Sequence, residues 1–283
     1  MKIAICLSGQ PRTWEKCYPT WMKLIDAIKL NHEVDTVDIF FHMWDYNSLP
    51  NGLSLHEGYN YIDIVGEEPI SYEEKSRLIT ALNPKKYLFE NEVANKNKIK
   101  EIRKMNVPHL VHHGEAKLEW AAGQFYSIMH ACHLKRMYEY EHDIRYDICI
   151  RMRTDLYFDD HQINYFVERN LVKPENNTFY SCHTSKDDSQ FPFHRVGDIF
   201  WFADSPTFNR ICDFYRWLPI IGRKSFNSNH ITTEHALYFY AKMLNMEISH
   251  IDFDPKIFRG QEYLDRKIKA GMDNGELGGH ELV

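Results

Sequence analysis

No stretch of the 283 residues approaches the 18 or more consecutive apolar residues that a bilayer-spanning helix needs. The opening run, Met1-Lys2-Ile3-Ala4-Ile5-Cys6-Leu7, is too short for the core of a secretory leader. Ser8-Gly9-Gln10-Pro11-Arg12 ends it without a cleavage-like pattern. A cytoplasmic protein with no membrane span is the expectation. Cysteine is sparse: the six residues at 6, 17, 132, 149, 182 and 212 contain no CxxC pair. That speaks against a zinc ribbon or a disulfide scaffold and for reduced, mostly buried thiols. An excess of basic charge is also missing. With 34 Lys and Arg against 40 Asp and Glu, the formal charge of −6 is wrong for a protein that coats nucleic acid. Neither a Gly-Lys-Ser/Thr phosphate loop nor a GxGxxG fingerprint occurs. There is no internal repeat and no Pro/Gly/Ser-rich linker, so a single domain over residues 1–270 is expected, followed by a flexible glycine-bearing tail at 271–283.

What is present suits a packed core: 43% of residues are hydrophobic and 14% aromatic. Lys2 to Leu7 is a short apolar run closed by Gly and Pro, the pattern of a strand buried on both faces of a parallel sheet. Trp14, Tyr18, Trp21, Ile25 and Ile28 follow at helical spacing. Strands are predicted at 37–44, 86–89, 146–151, 178–181, 198–203 and 247–251. Ser71 with Glu74 marks a helix start. The longest helix is predicted from Trp120 to about Glu141, after an irregular stretch at 91–118. Asp204-Ser205-Pro206 and Thr232-Thr233-Glu234 open two later helices. Strands and helices alternate over residues 1–150 and then mix. The expected fold is α/β: a central, mostly parallel sheet flanked by helices, with antiparallel additions in the C-terminal half.

In such sheets ligands bind beyond the carboxyl ends of the strands. Four segments stand there. In Ser8-Gly9-Gln10-Pro11-Arg12, Gly9 permits close backbone approach and Arg12 can fork onto a phosphate or carboxylate; the alternative is a tight turn with a surface arginine. In Arg151-Met152-Arg153-Thr154-Asp155, strand alternation would turn residues 151, 153 and 155 to one face. Two guanidinium groups and an acid there suit a diphosphate with a metal on Asp155, or else an internal ion-pair ladder. Gly197-Asp198 suits a pocket wall against a sugar, or a bulge with a solvated acid. Glu234, at a helix N-terminus, suits a general base or a simple cap.

In this order the segments resemble the GT-A fold glycosyltransferases. Ser8-Gly9-Gln10-Pro11-Arg12-Thr13-Trp14 and Arg151-Met152-Arg153-Thr154-Asp155-Leu156 are also similar to glycosyltransferase-like proteins of large DNA viruses, phages and capsule loci. The resemblance implies a nucleotide-binding half over residues 1–150 and an acceptor half over 151–270, a nucleotide-sugar donor, UDP-linked by preference, a glycan or glycoconjugate acceptor, and a host-cytoplasmic location if the protein is viral. It implies donor binding by Ser8, Gly9, Gln10, Arg12, Arg151, Arg153, Gly197 and Arg259. It further implies Mn²⁺ or Mg²⁺ on Asp155 and His250, with Glu234 as base and Asp198 as the second candidate for that role. The chain departs from the family's usual DxD motif, since Arg153 stands at its first position. A sulfo- or phosphotransferase, or an inactive nucleotide- or sugar-binding module, is the competing reading. Gln124 and Ser127 share one face of the long helix, and surface polarity explains them more simply than a donor contact. His42 reads as structural or as reaching the pocket, and His109, His112 and His113 carry no convincing metal pattern.

Overall fold

The computed structural model describes residues 1–11, 13–45, 69–91, 115–182, 196–221, 233–253 and 255–258. The calls at Asn47–Gly52, His109, His112 and His113, and the 271–283 tail, lie outside these residues, as do Arg12 and Arg259. The strands are β1 Lys2–Gly9, β2 Thr36–Trp44, β3 Lys86–Glu90, β4 Ile148–Arg153, β5 Leu156–Tyr157, β6 Thr178–Ser181, β7 Phe200–Ala203, β8 Glu247–His250 and β9 Lys256–Ile257. The helices are α1 Trp14–Asn31, α2 Tyr72–Leu82, α3 Glu115–His142, α4 Asp160–Tyr165, α5 Ser205–Cys212, α6 Phe214–Ile221 and α7 Thr233–Met243. A π-helical turn, Phe166–Asn170, extends α4.

Seven strands form one sheet in the order β3-β2-β1-β4-β7-β6-β8. All run parallel except β7, which is antiparallel to both neighbours. A separate two-stranded ribbon pairs β5 with β9. The α/β reading of the sequence, with a mostly parallel sheet and antiparallel additions, is the architecture found. Alternation sorts the strand residues into two cores. Ile3, Ile5 and Leu7 of β1 join Ile148, Ile150 and Met152 of β4 and the α1 residues Trp21, Leu24 and Ile28 on one face. Ala4 and Cys6 join Cys149, Trp201 and the α3 residues Ala122, Phe125, Ile128 and Cys132 on the other. Strands covered on both sides become continuous apolar runs, which is why β1 was legible without any periodicity. All six cysteines are free and buried, as their scatter implied. Among the described residues no helix is long and apolar enough to cross a membrane.

Several boundaries differ from expectation for local reasons. Ser71 caps α2 by accepting the Glu74 N–H at 3.0 Å, as its sequence suggested. By contrast, α3 begins at Glu115, inside the stretch predicted to be irregular. The single helix expected from Asp204 breaks at Asp213 into α5 and α6. Strand β4 runs two residues further than predicted, to Arg153, because Arg151 and Arg153 keep the sheet register with Cys6 and Ser8.

The chain builds β1, β2 and β3 outward in one direction and then returns to place β4 against the other side of β1. The strand order therefore reverses between β1 and β4, the place beyond the carboxyl ends where open α/β sheets carry their ligand crevice. Gly9 makes this junction possible. Its φ is +130°, and a Cβ there would sit 3.1 Å from Thr154 Oγ1. That hydroxyl donates to the Gln10 carbonyl oxygen at 2.5 Å, tying the two strand ends together. Gly9→Ala is expected to destabilise the protein by about 1–3 kcal/mol through strained backbone and a displaced Thr154. Urea unfolding of the two forms measures the difference.

Candidate functional site

The residues after β1 and β4 stand at this switch point, the crevice position of the fold, with the segment leading into β7 and the N-terminal part of α3 beside them. Ser8 is paired in register with Arg153, and Cys6 with Arg151, so all four side chains point to the α3 side of the sheet. From α3, Ser127 reaches the first loop: its Oγ accepts the Gly9 N–H at 3.1 Å. Gln124 donates to Asp198 Oδ2 at 2.8 Å. Both side chains read more simply as surface polarity in the sequence, yet they brace the crevice. The spacing of three that puts them on one helix face was the available signal, and only the approach of α3 to the strand ends gives it meaning. The Gly9 N–H is spent on Ser127, so it is not a free donor for a phosphate.

Arg153 and Asp155 form a two-toothed ion pair, Nε to Oδ1 at 2.7 Å and Nη2 to Oδ2 at 2.8 Å. The Asp155 side chain is 3% exposed and that of Arg153 19%. Strand alternation does not carry Asp155 to its place, contrary to expectation. Strand β4 ends at Arg153, and Thr154 and Asp155 form a turn. The carboxylate is swung back onto the arginine two residues earlier. Its backbone oxygen accepts the Phe258 N–H at 2.7 Å, beside the β5–β9 ribbon. Burial alone would lower the Arg153 pKa, but the Asp155 charge and hydrogen bonds outweigh this and raise it. Arg153 is therefore a permanent cation.

Arg151 is fully buried, and its guanidinium lies 4.9 Å from the centre of the Trp201 ring. Nη1 donates to the Asp198 carbonyl oxygen. Gly197, just before, accepts from Ser181 Oγ at 3.4 Å. The N–H of Val196 is 3.5 Å from the Glu234 carbonyl oxygen, so the first turn of α7 is moored to the segment carrying Gly197 and Asp198. Glu234 itself is half-buried. The structure thus brings together Ser8, Gly9, Gln10, Arg151, Arg153, Asp155, Gly197, Asp198 and the start of α7. His250 is not among them. It ends β8, exposed, three strand positions from β4, or about 14 Å across the sheet.

This bears on the expected cation. Both Asp155 oxygens are held by Arg153, and no group of three His, Cys, Asp or Glu among the described residues is disposed to hold a metal ion. As placed, the described residues do not fit a divalent cation shared by Asp155 and His250, and no chemical step is routed through one here.

A second buried network stands beside the crevice at the ends of β2 and β3. His42, fully buried, has Nε2 2.9 Å from Glu90 Oε2 and Nδ1 2.9 Å from Ser127 Oγ. Tyr126 donates to Glu90 Oε1 at 3.1 Å. Burial lowers the His42 pKa, with Glu90 pulling the other way. The ring is neutral at pH 7, and its Nε2–H donates to Glu90. His42 therefore braces Ser127, and through it Gly9, rather than facing the crevice. Sequence reasoning missed Glu90 and Tyr126; the position of Glu90 at a strand's carboxyl end was the one available clue.

Two consequences are measurable. Asp155→Asn removes one partner of a pair screened little by solvent, so a loss of about 3 kcal/mol or more is expected in urea unfolding. Arg153→Met combined with Asp155→Leu is expected to recover much of it. For His42, the folded state binds fewer protons than the unfolded state between the depressed native pKa and the ordinary 6.5. Stability is therefore complete above about pH 6.5 and is lost as pH falls below it. Melting temperature is expected to drop between pH 7.5 and 5, and His42→Gln to flatten that slope.

No protein-family model and no curated protein matches the chain. Solved structures are similar at a distance, among them the following two. Mouse xyloside xylosyltransferase 1, apo form, is 7% identical, with 89% of this chain and 85% of that chain covered at a TM-score of 0.36. A glycosyltransferase involved in glycosylating the major capsid of PBCV-1 is 11% identical, with 96% and 100% covered at a TM-score of 0.37. Likenesses this distant leave the functional reading to the chain's own geometry.

Proposed function

We propose that the protein transfers a sugar from a nucleoside-diphosphate sugar, a UDP-sugar, to a hydroxyl of a glycan acceptor. The observation that carries this reading is the β1/β4 switch point. It gathers two arginines, two acids and a glycine-bearing loop at the strand ends where an α/β sheet binds nucleotides. In this reading the diphosphate lies over Ser8-Gly9-Gln10. Arg153, oriented by Asp155 through Nε and Nη2, offers Nη1 to a phosphoryl oxygen. Asp155 is then a positioning residue. Gly197 and Asp198, the latter steadied by Gln124, wall the sugar.

Transfer breaks the bond between the anomeric carbon and the diphosphate oxygen, which leaves with the electron pair. The acceptor oxygen bonds that carbon and gives up its proton. Glu234 accepts the proton in an inverting reaction: its place in the first turn of α7 favours the carboxylate form before the reaction. Guanidinium groups in a water-poor site meet the charge that develops on the leaving diphosphate.

Glu234→Gln is expected to lower kcat by about 10²–10⁴-fold while leaving donor KM nearly unchanged, measured as nucleotide release. A loss confined to donor KM would move Glu234 to the donor pocket. Thermal shifts with UDP, GDP and adenosine 3′,5′-bisphosphate, each with Mn²⁺ or with EDTA, test the donor class. Stabilisation by UDP that persists in EDTA is the expected result. A shift that requires Mn²⁺ assigns Asp155 to a cation in exchange for Arg153. A shift with the bisphosphate alone overturns the reading in favour of sulfo-transfer.

A further inference from the structure

Three side chains on the α3 face of neighbouring strands hold buried polar atoms with no hydrogen-bond partner among the described residues. They are Ser8 Oγ on β1, Nε and Nη2 of Arg151 on β4, and Nε1 of Trp201 on β7. Ser8 is 2% exposed, Arg151 and Trp201 not at all. Arg151 is in register with Trp201 on one side and with Cys6 on the other, and Ser8 is its diagonal neighbour. Directly paired positions such as Arg151 and Trp201 lie about 5 Å apart and diagonal ones such as Arg151 and Ser8 about 7–8 Å, so the Arg151 side chain lies between the other two and within reach of each.

Each of these atoms carries a hydrogen to donate. An orphaned buried donor costs about 1–3 kcal/mol, so several sharing one face call for an explanation. A single water does not supply it, because its oxygen accepts about two hydrogen bonds and four donor atoms are present. A carboxylate or phosphoryl group does, since it offers about four lone-pair sites over two or more oxygens. The free atoms of Arg151 strengthen the point. Nη1 is used on the Asp198 carbonyl oxygen, while Nε and Nη2 make up the fork edge. That is the edge with which Arg153 grips Asp155. On Arg151 it has no partner among the described residues. Burial also pushes the Arg151 pKa down to about 9 despite the attraction of Asp198, so the cation is under-compensated where it stands.

We propose that Ser8, Arg151 and Trp201 form a buried oxyanion receptor that takes one carboxylate or phosphoryl group of the substrate. The proposal rests on the donor reading above and narrows it: either an acidic sugar places its carboxylate here, or a phosphate of the diphosphate does.

The test is calorimetric binding of inorganic phosphate, UDP, UDP-glucose and UDP-glucuronate to the wild type, Trp201→Phe, Ser8→Ala and Arg151→Gln. Trp201→Phe removes one N–H and keeps a ring, and Ser8→Ala removes one hydroxyl, so both should fold even if Arg151→Gln does not. A hydrogen bond to a charged group is worth about 1.5 kcal/mol or more, so each conservative variant should weaken the bound oxyanion about tenfold. UDP-glucuronate binding about tenfold tighter than UDP-glucose, with that preference lost in Trp201→Phe and Ser8→Ala, supports the receptor with a sugar carboxylate in it. Equal weakening of UDP and both UDP-sugars supports it with a phosphate. Unchanged affinity for every probe in both conservative variants overturns the receptor and leaves nucleotide binding standing. If no uridine nucleotide binds the wild type, the donor reading fails. The receptor then stands only if inorganic phosphate binds and Trp201→Phe weakens it, and falls otherwise.

Discussion

The site depends on keeping the ends of the parallel strands β1 and β4 side by side although their chains continue into different loops. Backbone ladder bonds end with the strands, so side chains take over. Thr154 closes on the Gln10 carbonyl, Ser127 on the Gly9 N–H, and Arg153 on Asp155. Each contact joins residues from different elements or turns the chain back on itself. Gly9 accommodates them because a side chain there would occupy the space Thr154 uses.

The distribution of charge follows from the same constraint. Two arginines on adjacent same-face positions of a buried strand would repel and lose their hydration unless anions answered them. Asp155 answers Arg153 with both oxygens. Among the described residues, Arg151 meets a backbone carbonyl, an aromatic face and the more distant fields of Asp198 and Asp155. One cation is held ready in a fixed orientation and the other is left incomplete. The two arginines of one strand face are thus compensated unequally.

Behind the crevice, the buried His42–Glu90–Tyr126 group and α3 act as a frame. Lys135 does the same lower on α3, fully buried and bonded to Glu139 and Ser205. These networks hold α3 against β1, β2 and β4. That matters because Gln124 and Ser127 reach Asp198 and Gly9 only if the helix keeps its axial position. Acidification that charges His42 loosens this frame, because burial disfavours the charged ring.

The sheet and its order of elements were legible because apolar runs ended by Gly, Pro or charged residues mark buried strands, and the rule that ligands sit at strand ends pointed to Ser8-Gly9-Gln10 and to Arg151–Asp155. The amino-acid pattern by itself determined which strands are covered on both faces, which helices start at Ser71 and Asp204, and that the cysteines are buried and free. Only the tertiary structure decided that Asp155 turns back onto Arg153, that Gln124 and Ser127 serve the crevice, and that His250 stands three strands away. The reason is physical: strand and helix periods are local, whereas the partner of a charged side chain is set by which distant elements the fold brings beside it.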